Sequence, residues 1–193
     1  MRKITKGPQT WIYPMPVILV GANVNENPNF MTVAWCAVAN GEPQMISLSI
    51  APTRYTFRGI LQNRTFSANI PTVDLIKEVD YCGLVSGVKF DKVKVCGFDV
   101  FYGKLSNAPL IQQCPINLEC KVVHILDLGG DSLIVGRVEE THISEDCLTN
   151  GKPDVTKIRP LIYTEPSPLQ YHSLGPVLGK AFSIGKELKK RNQ

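Results

Sequence analysis

No apolar run in the 193-residue chain approaches the ~18 uninterrupted residues of a spanning helix, so none is expected. Nor is there a C-x-x-C pair. The six cysteines, Cys36, Cys82, Cys96, Cys114, Cys120 and Cys147, fit the spacing of neither zinc nor a redox dithiol well, so most are expected to be small buried hydrophobes of a reducing compartment. Net charge is scarce outside one segment. The formal charge is +4, and 180–193, with Lys180, Lys186, Lys189, Lys190 and Arg191 against Glu187, carries all of it. The near-neutral remainder argues against a nucleic-acid-binding face, and the basic segment reads as a solvated C-terminal helix. The start M-R-K-I-T-K before an apolar run has the order of a signal peptide. Pro14 and Pro16 interrupt that run and no small-x-small cleavage site follows Val20, so the expectation is a cytoplasmic protein. Internal repeats and low-complexity segments are absent too.

What is present suits one globular domain over 1–193. At 44% hydrophobic and 20% charged, the chain can bury an ample core. Short β-rich runs alternate with turn signals from Trp11 to Ile50: W-I-Y-P-M-P-V-I-L-V, N-E-N-P-N, F-M-T-V-A-W-C-A-V, N-G-E-P and Q-M-I-S-L-S-I. Past Pro52, the spacing of Phe57, Ile60 and Leu61 predicts a helix ending near Asn63, and F-S-A-N-I-P predicts a strand. Thr72 is the expected cap of a second helix striped by Leu75, Ile76 and Val79 and stopped at Gly83. Apolar residues at even positions from Ile116 to Leu128, then Gly129-Gly130-Asp131 and S-L-I-V-G-R-V-E-E, predict a long hairpin. I-R-P-L-I-Y-T adds a strand, and 146–155 reads as a polar loop near a partner subunit. Many strands and few helices imply a nearly closed antiparallel barrel, which leaves little unpaired edge.

One stretch points to chemistry. S-L-S-I-A-P-T-R-Y-T at 47–56 runs from an alternating strand through a proline break into a helix opening with hydroxyls and an arginine. Free amides and the positive dipole end at a helix start favour a phosphate, and the Arg54 fork can grip two of its oxygens. Thr53 or Thr56 is also an ordinary cap candidate.

Taken with N-F-M-T-V-A-W at 29–35 and S-G-V-K-F-D-K at 86–92, this stretch resembles the flavin reductase-like family of FMN-binding split barrels, most nearly its flavoredoxin-type members. The likeness runs from P-M-P-V at Pro14 to Y-H-S-L-G at Tyr171. It implies a mainly β fold, a six-stranded antiparallel Greek-key split β-barrel with a few short helices and a C-terminal helix. It also implies a homodimer with noncovalent FMN at the subunit boundary. By the same resemblance Arg54, Thr56, Ser86 and Lys92 meet the phosphate. Asn29, Met31, Thr32, Val33, Ala34, Trp35, Ser47 and Ser49 lie along the isoalloxazine, and Ala51 and Pro52 lie beneath the ribityl chain. Trp35 has the alternative of filling the core, Lys92 of standing exposed on a turn, and Tyr163 of packing in the core rather than lining the ring. Cys36 is the cysteine expected nearest the flavin.

The resemblance makes the chain an FMN-dependent oxidoreductase in which the cofactor carries the redox step and no side chain is assigned as catalytic. Electron transfer of the flavoredoxin type is the first reading. An NAD(P)H:flavin or ferric reductase, and a phosphate-binding barrel without turnover, are the alternatives. Relatives often carry a histidine just past the hairpin turn, where this chain has Asp131 and Ser132. That departure weakens the case for a pyridine-nucleotide donor and favours a redox protein. His124, His142 and His172 read as structural, with no accompanying carboxylate pattern, although His172 stands near enough to the C-terminal turn to approach the site.

Overall fold

The run I-L-V-G-A-N-V is apolar at consecutive positions rather than alternating, and the fold uses both of its faces. In the computed structural model, which describes residues 1–166 and 168–189, this run is β1 (Ile18–Val24), buried throughout. Val20 and Ala22 face the main core with Leu48, Phe57, Ile60, Phe66 and Ile134. Leu19 faces a second core with Phe30, Val79, Phe98 and Ile111. Gly21 lets the neighbouring strands close in, since a Cβ there would meet Ser67 Oγ at 2.4 Å and the Phe30 ring at 2.6 Å.

The remaining strands of the main sheet are β2 (Asn27–Val33), β3 (Cys36–Gly41), β4 (Gln44–Ile50), β5 (Thr65–Ile70), β6 (Ile116–Asp127) and β7 (Ser132–Ile143). They pair antiparallel in the order β2-β1-β5-β6-β7-β4-β3, and the sheet curls until β2 meets β4. The expected count was six; seven strands pair because F-M-T-V-A-W-C-A-V divides at 34 and 35 into β2 and β3. Asn25 and Glu26, both at positive φ, make the tight turn joining β1 to β2. The long hairpin is β6–β7. Its apolar alternation fails beyond Val122, where a bulge opposite Val135 and Gly136 turns Ile125 toward the core and leaves Leu126 exposed.

Helix α1 (Tyr55–Asn63) follows the proline break as expected, but neither Thr53 nor Thr56 caps it. Arg54 is the N-cap residue, without a side-chain cap bond, and Thr56 is buried with its hydroxyl bonded to Asn29 instead. Thr72 likewise makes no side-chain cap. A 3-10 turn at Val73–Leu75 precedes α2 (Ile76–Leu84), which runs through Gly83 and leaves Ile76 exposed while Val79 is buried. A third helix, α3 (Lys92–Cys96), starts where Asp91 accepts a bond from the Lys94 amide.

The expected strand at 11–20 forms only from Met15 onward: its residues 18–20 open β1, and outside the main sheet Met15–Pro16 pairs with Leu161–Thr164, which in turn pairs with Gln170–Ser173. Trp11, Ile12 and Tyr13 are exposed. The expected strand at 158–164 loses Ile158 to the short helix Val155–Ile158 and Arg159 to its left-handed cap, and the segment at 146–155 holds a small hairpin, Leu148–Thr149 with Lys152–Pro153. Of the C-terminal helix only Lys186–Lys189 is helical, and positions 190–193 of that expectation lie outside the described residues. All six cysteines are free, four buried and two half-buried, as expected of small hydrophobes. Among the described residues no helix is long and apolar enough to cross a membrane.

Candidate functional site

The chain leaves β4 at Ile50, turns with the Arg54 amide donating to the Ala51 carbonyl at 3.0 Å, and enters α1 with its first amides uncapped by any side chain. A cavity of about 200 Å³ opens at that helix start, walled by Arg54, Thr56, Cys82, Ser86, Gly87 and Lys92. Lys92 is the informative member. Far from being an exposed turn residue, it is 4% exposed, and its Nζ donates to the carbonyls of Phe30 at 2.9 Å and Cys82 at 2.8 Å. Burial holds its pKa below the ordinary lysine value, and the Arg54 charge pushes the same way. Among the described residues no carboxylate pairs with either cation. A buried ammonium and a guanidinium share one small cavity at a helix N-terminus, and neither has an ion-pair partner among the described residues.

Asn29 acts behind this wall rather than in the larger cavity. It is buried, and its Nδ2 donates to Thr56 Oγ1 at 2.6 Å, which fixes the threonine hydroxyl. Gly87 permits that arrangement: a Cβ there would sit 2.0 Å from Asn29 Oδ1. Thr32 Oγ1 donates to the Val79 carbonyl and ties β2 to α2.

Met31, Thr32, Arg54 and Gly83 also line a second cavity, of about 460 Å³, so the two run together. Its walls include Val33, Ala34, Trp35, Ser49, Ala51 and Tyr163 from the expected set. Trp35 is 46% exposed at the rim, its indole Nε1 donating to Glu165 Oε1 at 2.8 Å, so the core-tryptophan alternative fails. The register of β7 against β4, Ser132 opposite Ile50, brings Asp131 to the same wall, where it accepts from Ser49 Oγ at 3.4 Å. Tyr163 lines the cavity too, because its strand partner across the small sheet, Tyr171, stands 5.5 Å away, ring to ring, on the same wall.

Asp80, Glu165, Leu169 and Tyr171 are lining residues that the sequence did not single out. Tyr171 donates its hydroxyl to Asp80 Oδ1 at 3.1 Å; burial first, then this bond to a carboxylate, raises the phenol's pKa. Burial, with Glu165 and Asp80 nearby, raises that of Tyr163. Asp80 and Tyr171 are 91 residues apart, so no local spacing could have signalled the pair. Three carboxylates, Asp80, Asp131 and Glu165, thus face this cavity, each held by a neutral donor, and Arg54 is the one cation on its wall among the described residues.

Other expected positions stand elsewhere. Ser47 lies along β4 with its hydroxyl toward the Ala37 carbonyl, and Pro52 is exposed on the turn, neither on a cavity wall. Cys36 packs against the main core, and burial pushes its thiol up to about 12. His172 bonds Thr164 Oγ1 at 3.1 Å away from the cavities, and His124 is exposed on β6. His142 does have a carboxylate partner, the fully buried Glu119, at 2.7 Å. Glu119 also accepts the amides of Lys104 and Leu105, so the cluster clamps the loop at 102–108 rather than serving the cavities.

The family model for the flavin reductase like domain matches residues 11–171. Among solved structures, the chain is similar to the flavoredoxin of Methanosarcina acetivorans, at 41% identity and a TM-score of 0.93 over 97% of this chain and all of that one. Similarity to the flavoredoxin of Desulfovibrio vulgaris (Miyazaki F) is 31% with a TM-score of 0.88, over 95% of this chain and 100% of the other. An FMN-binding protein from Thermus thermophilus, solved with 1-cyclohex-2-enone bound, aligns at 25% identity and a TM-score of 0.78 over 93% of this chain and 100% of its own.

Proposed function

The chain belongs to the flavin reductase like domain family, and from that premise we propose that it is an FMN-binding oxidoreductase of the flavoredoxin type, passing electrons between protein carriers. The observation that carries this is the pair of cations, Lys92 and Arg54, at the start of α1, which makes no side-chain cap bond and where neither cation has an ion-pair partner among the described residues. A phosphate dianion satisfies both charges and the helix-start amides together, with hydroxyls from Thr56 and Ser86 alongside. The adjoining 460 Å³ cavity is of the size and mixed character of small-molecule sites. FMN, when bound, supplies the redox chemistry. Arg54, Thr56, Ser86 and Lys92 hold its phosphate. Met31 to Trp35, Ser49 and Ala51 line the compartment for the rest, with Tyr163 and Tyr171 as further wall. Asn29 serves by orienting Thr56.

Asp80, Asp131 and Glu165 bear on the electron donor. Three carboxylates against one arginine repel an anionic pyridine dinucleotide, which leaves a redox protein as the favoured donor. Such a carrier needs only a small transient contact. The exposed apolar residues at Trp11, Ile12 and Tyr13, and again at Val177, Leu178 and Phe182, support a homodimer that covers them.

The test is cofactor identity. Purified protein should show the visible bands of a flavin, release FMN rather than FAD on denaturation, and rebind FMN at one site per chain. Colourless protein that takes up no added FMN would defeat the proposal.

A further inference from the structure

Cys82 and Cys96 are absent from each other's neighbourhood in sequence and adjacent in space. Cys82 lies in α2 and is 1% exposed, while Cys96, the last residue of α3, is half-buried, and their sulfurs stand 4.0 Å apart. Lys92, one turn before Cys96, bonds the Cys82 carbonyl through Nζ, so two side chains of one face of α3 already converge on a single residue of α2. The disulfide length of about 2.05 Å requires the sulfurs to close by roughly 2 Å.

We propose that Cys82 and Cys96 are an oxidisable dithiol, which a peroxide-class oxidant closes to a disulfide that fixes α3 to α2 behind the anion cavity. Cys96, the more accessible thiol, attacks the peroxide as its thiolate. Its sulfur takes one oxygen, the O–O bond breaks, and hydroxide leaves. Cys82 then attacks the sulfenic sulfur of Cys96, the S–O bond breaks, and the departing hydroxide takes the Cys82 proton. Two thiols lose two electrons, one peroxide gains them, and two waters form. Burial raises both thiol pKa values, so the reaction draws on a small thiolate fraction and quickens as pH rises. Cys82 lines the anion cavity and Lys92 hangs from its carbonyl, so the bond braces a wall of that cavity. The inference does not rest on the FMN reading, since the thiols are scored in the ligand-free full chain.

The experiment treats the reduced chain with hydrogen peroxide at near-stoichiometric amounts and counts thiols after denaturation. The expected result is a fall from six thiols to four, a mass loss of 2 Da, and one crosslinked peptide joining Cys82 to Cys96. Closing a loop on the order of 14 residues should raise Tm by roughly 5–10 °C, reversed by dithiothreitol. Cys96→Ser, at a half-buried position, should keep the fold, abolish the 2 Da loss, and melt like the reduced parent. Six remaining thiols, a bond mapped to another pair such as one with Cys114, or oxygen added to Cys96 without loss of a second thiol would each overturn the proposal.

Discussion

Lys92→Met separates what Lys92 does for the fold from what it does for a bound anion. In the ligand-free protein two effects oppose each other. Methionine leaves the carbonyls of Phe30 and Cys82 without this donor, but it also removes a buried charge that has the like-charged Arg54 nearby and no ion-pair partner among the described residues. Each effect is of the order of 1–3 kcal/mol, so the net change in ligand-free Tm should stay within about 5 °C in either direction. Binding has no such compensation. A charge-assisted contact to phosphate is worth about 1.5–3 kcal/mol, and its loss weakens FMN affinity about 10- to 150-fold. With FMN at ~1,000 times the parent Kd, linkage stabilises the parent by about 4.1 kcal/mol; a 100-fold weaker variant keeps about 1.4. The rise in Tm on adding FMN should therefore shrink to about a third. Scanning calorimetry with and without FMN, beside a fluorescence titration, measures both quantities. Unchanged affinity in the variant would make Lys92 a structural tie among α3, α2 and β2, and would remove the main support for the anion site.

Gly87→Ala should also weaken FMN binding, by pushing Asn29 off Thr56, and the same titration reads it; parental affinity would show that Thr56 needs no positioning. Burial alone would raise the Glu119 pKa, but bonds from His142, Leu105 N–H and Lys104 N–H overcome it and hold the carboxyl below its ordinary value of 4.5. A depressed folded-state pKa contributes stability above the unfolded value that is lost as pH falls through the folded one. Urea melts of Glu119→Gln should thus show a loss of about 1–3 kcal/mol at pH 7 and a flatter profile than the parent below pH ~4.5; parallel profiles would refute the clamp. Light scattering should give a dimer, and a monomer with full flavin occupancy would count against the covered apolar segments. In anaerobic stopped flow, NADH and NADPH should reduce bound FMN slowly and Asp131→Asn should quicken them; reduction by either at turnover rates, on the order of 1–10³ s⁻¹, would instead favour the flavin reductase reading.

The strands and α1 were legible because their signals are local: proline breaks, turn residues and apolar period. Boundaries failed where packing competed with propensity. Thr56 has the chemistry of a cap, but burying it against Asn29 makes it a wall of the anion cavity and leaves the helix start open. The family resemblance marks Lys92 as a phosphate residue, but its burial has no local signal; only the crossing of α3 over β2 and α2 supplies the two carbonyls that bury it. The cysteines mislead in a similar way. Dithiol spacing rules describe neighbours along one chain segment, whereas Cys82 and Cys96 meet through the packing of two helices.

The larger cavity carries the same lesson into function. Asp131 could be placed from sequence because it directly follows a hairpin turn, and the β7–β4 register then delivers it to the wall. Asp80 and Glu165 come from α2 and from the end of a strand in the small sheet, and nothing in their local sequence marks them. Yet it is their sum with Asp131 that decides the sign of the field. A lone aspartate facing Arg54 would leave that wall neutral, and a dinucleotide phosphate would meet no barrier. Three carboxylates outweigh Arg54 and leave that wall net negative, while Lys92, which lines the smaller cavity and not this one, keeps the helix-start end positive. In the proposed role this polarity separates two tasks. The helix-start end retains a cofactor phosphate, and the outer wall turns away a second phosphorylated ligand. Removing a single outer carboxylate therefore lowers the barrier only in part, and the effect on nicotinamide reduction should grow stepwise from Asp131→Asn to the double variant with Glu165→Gln.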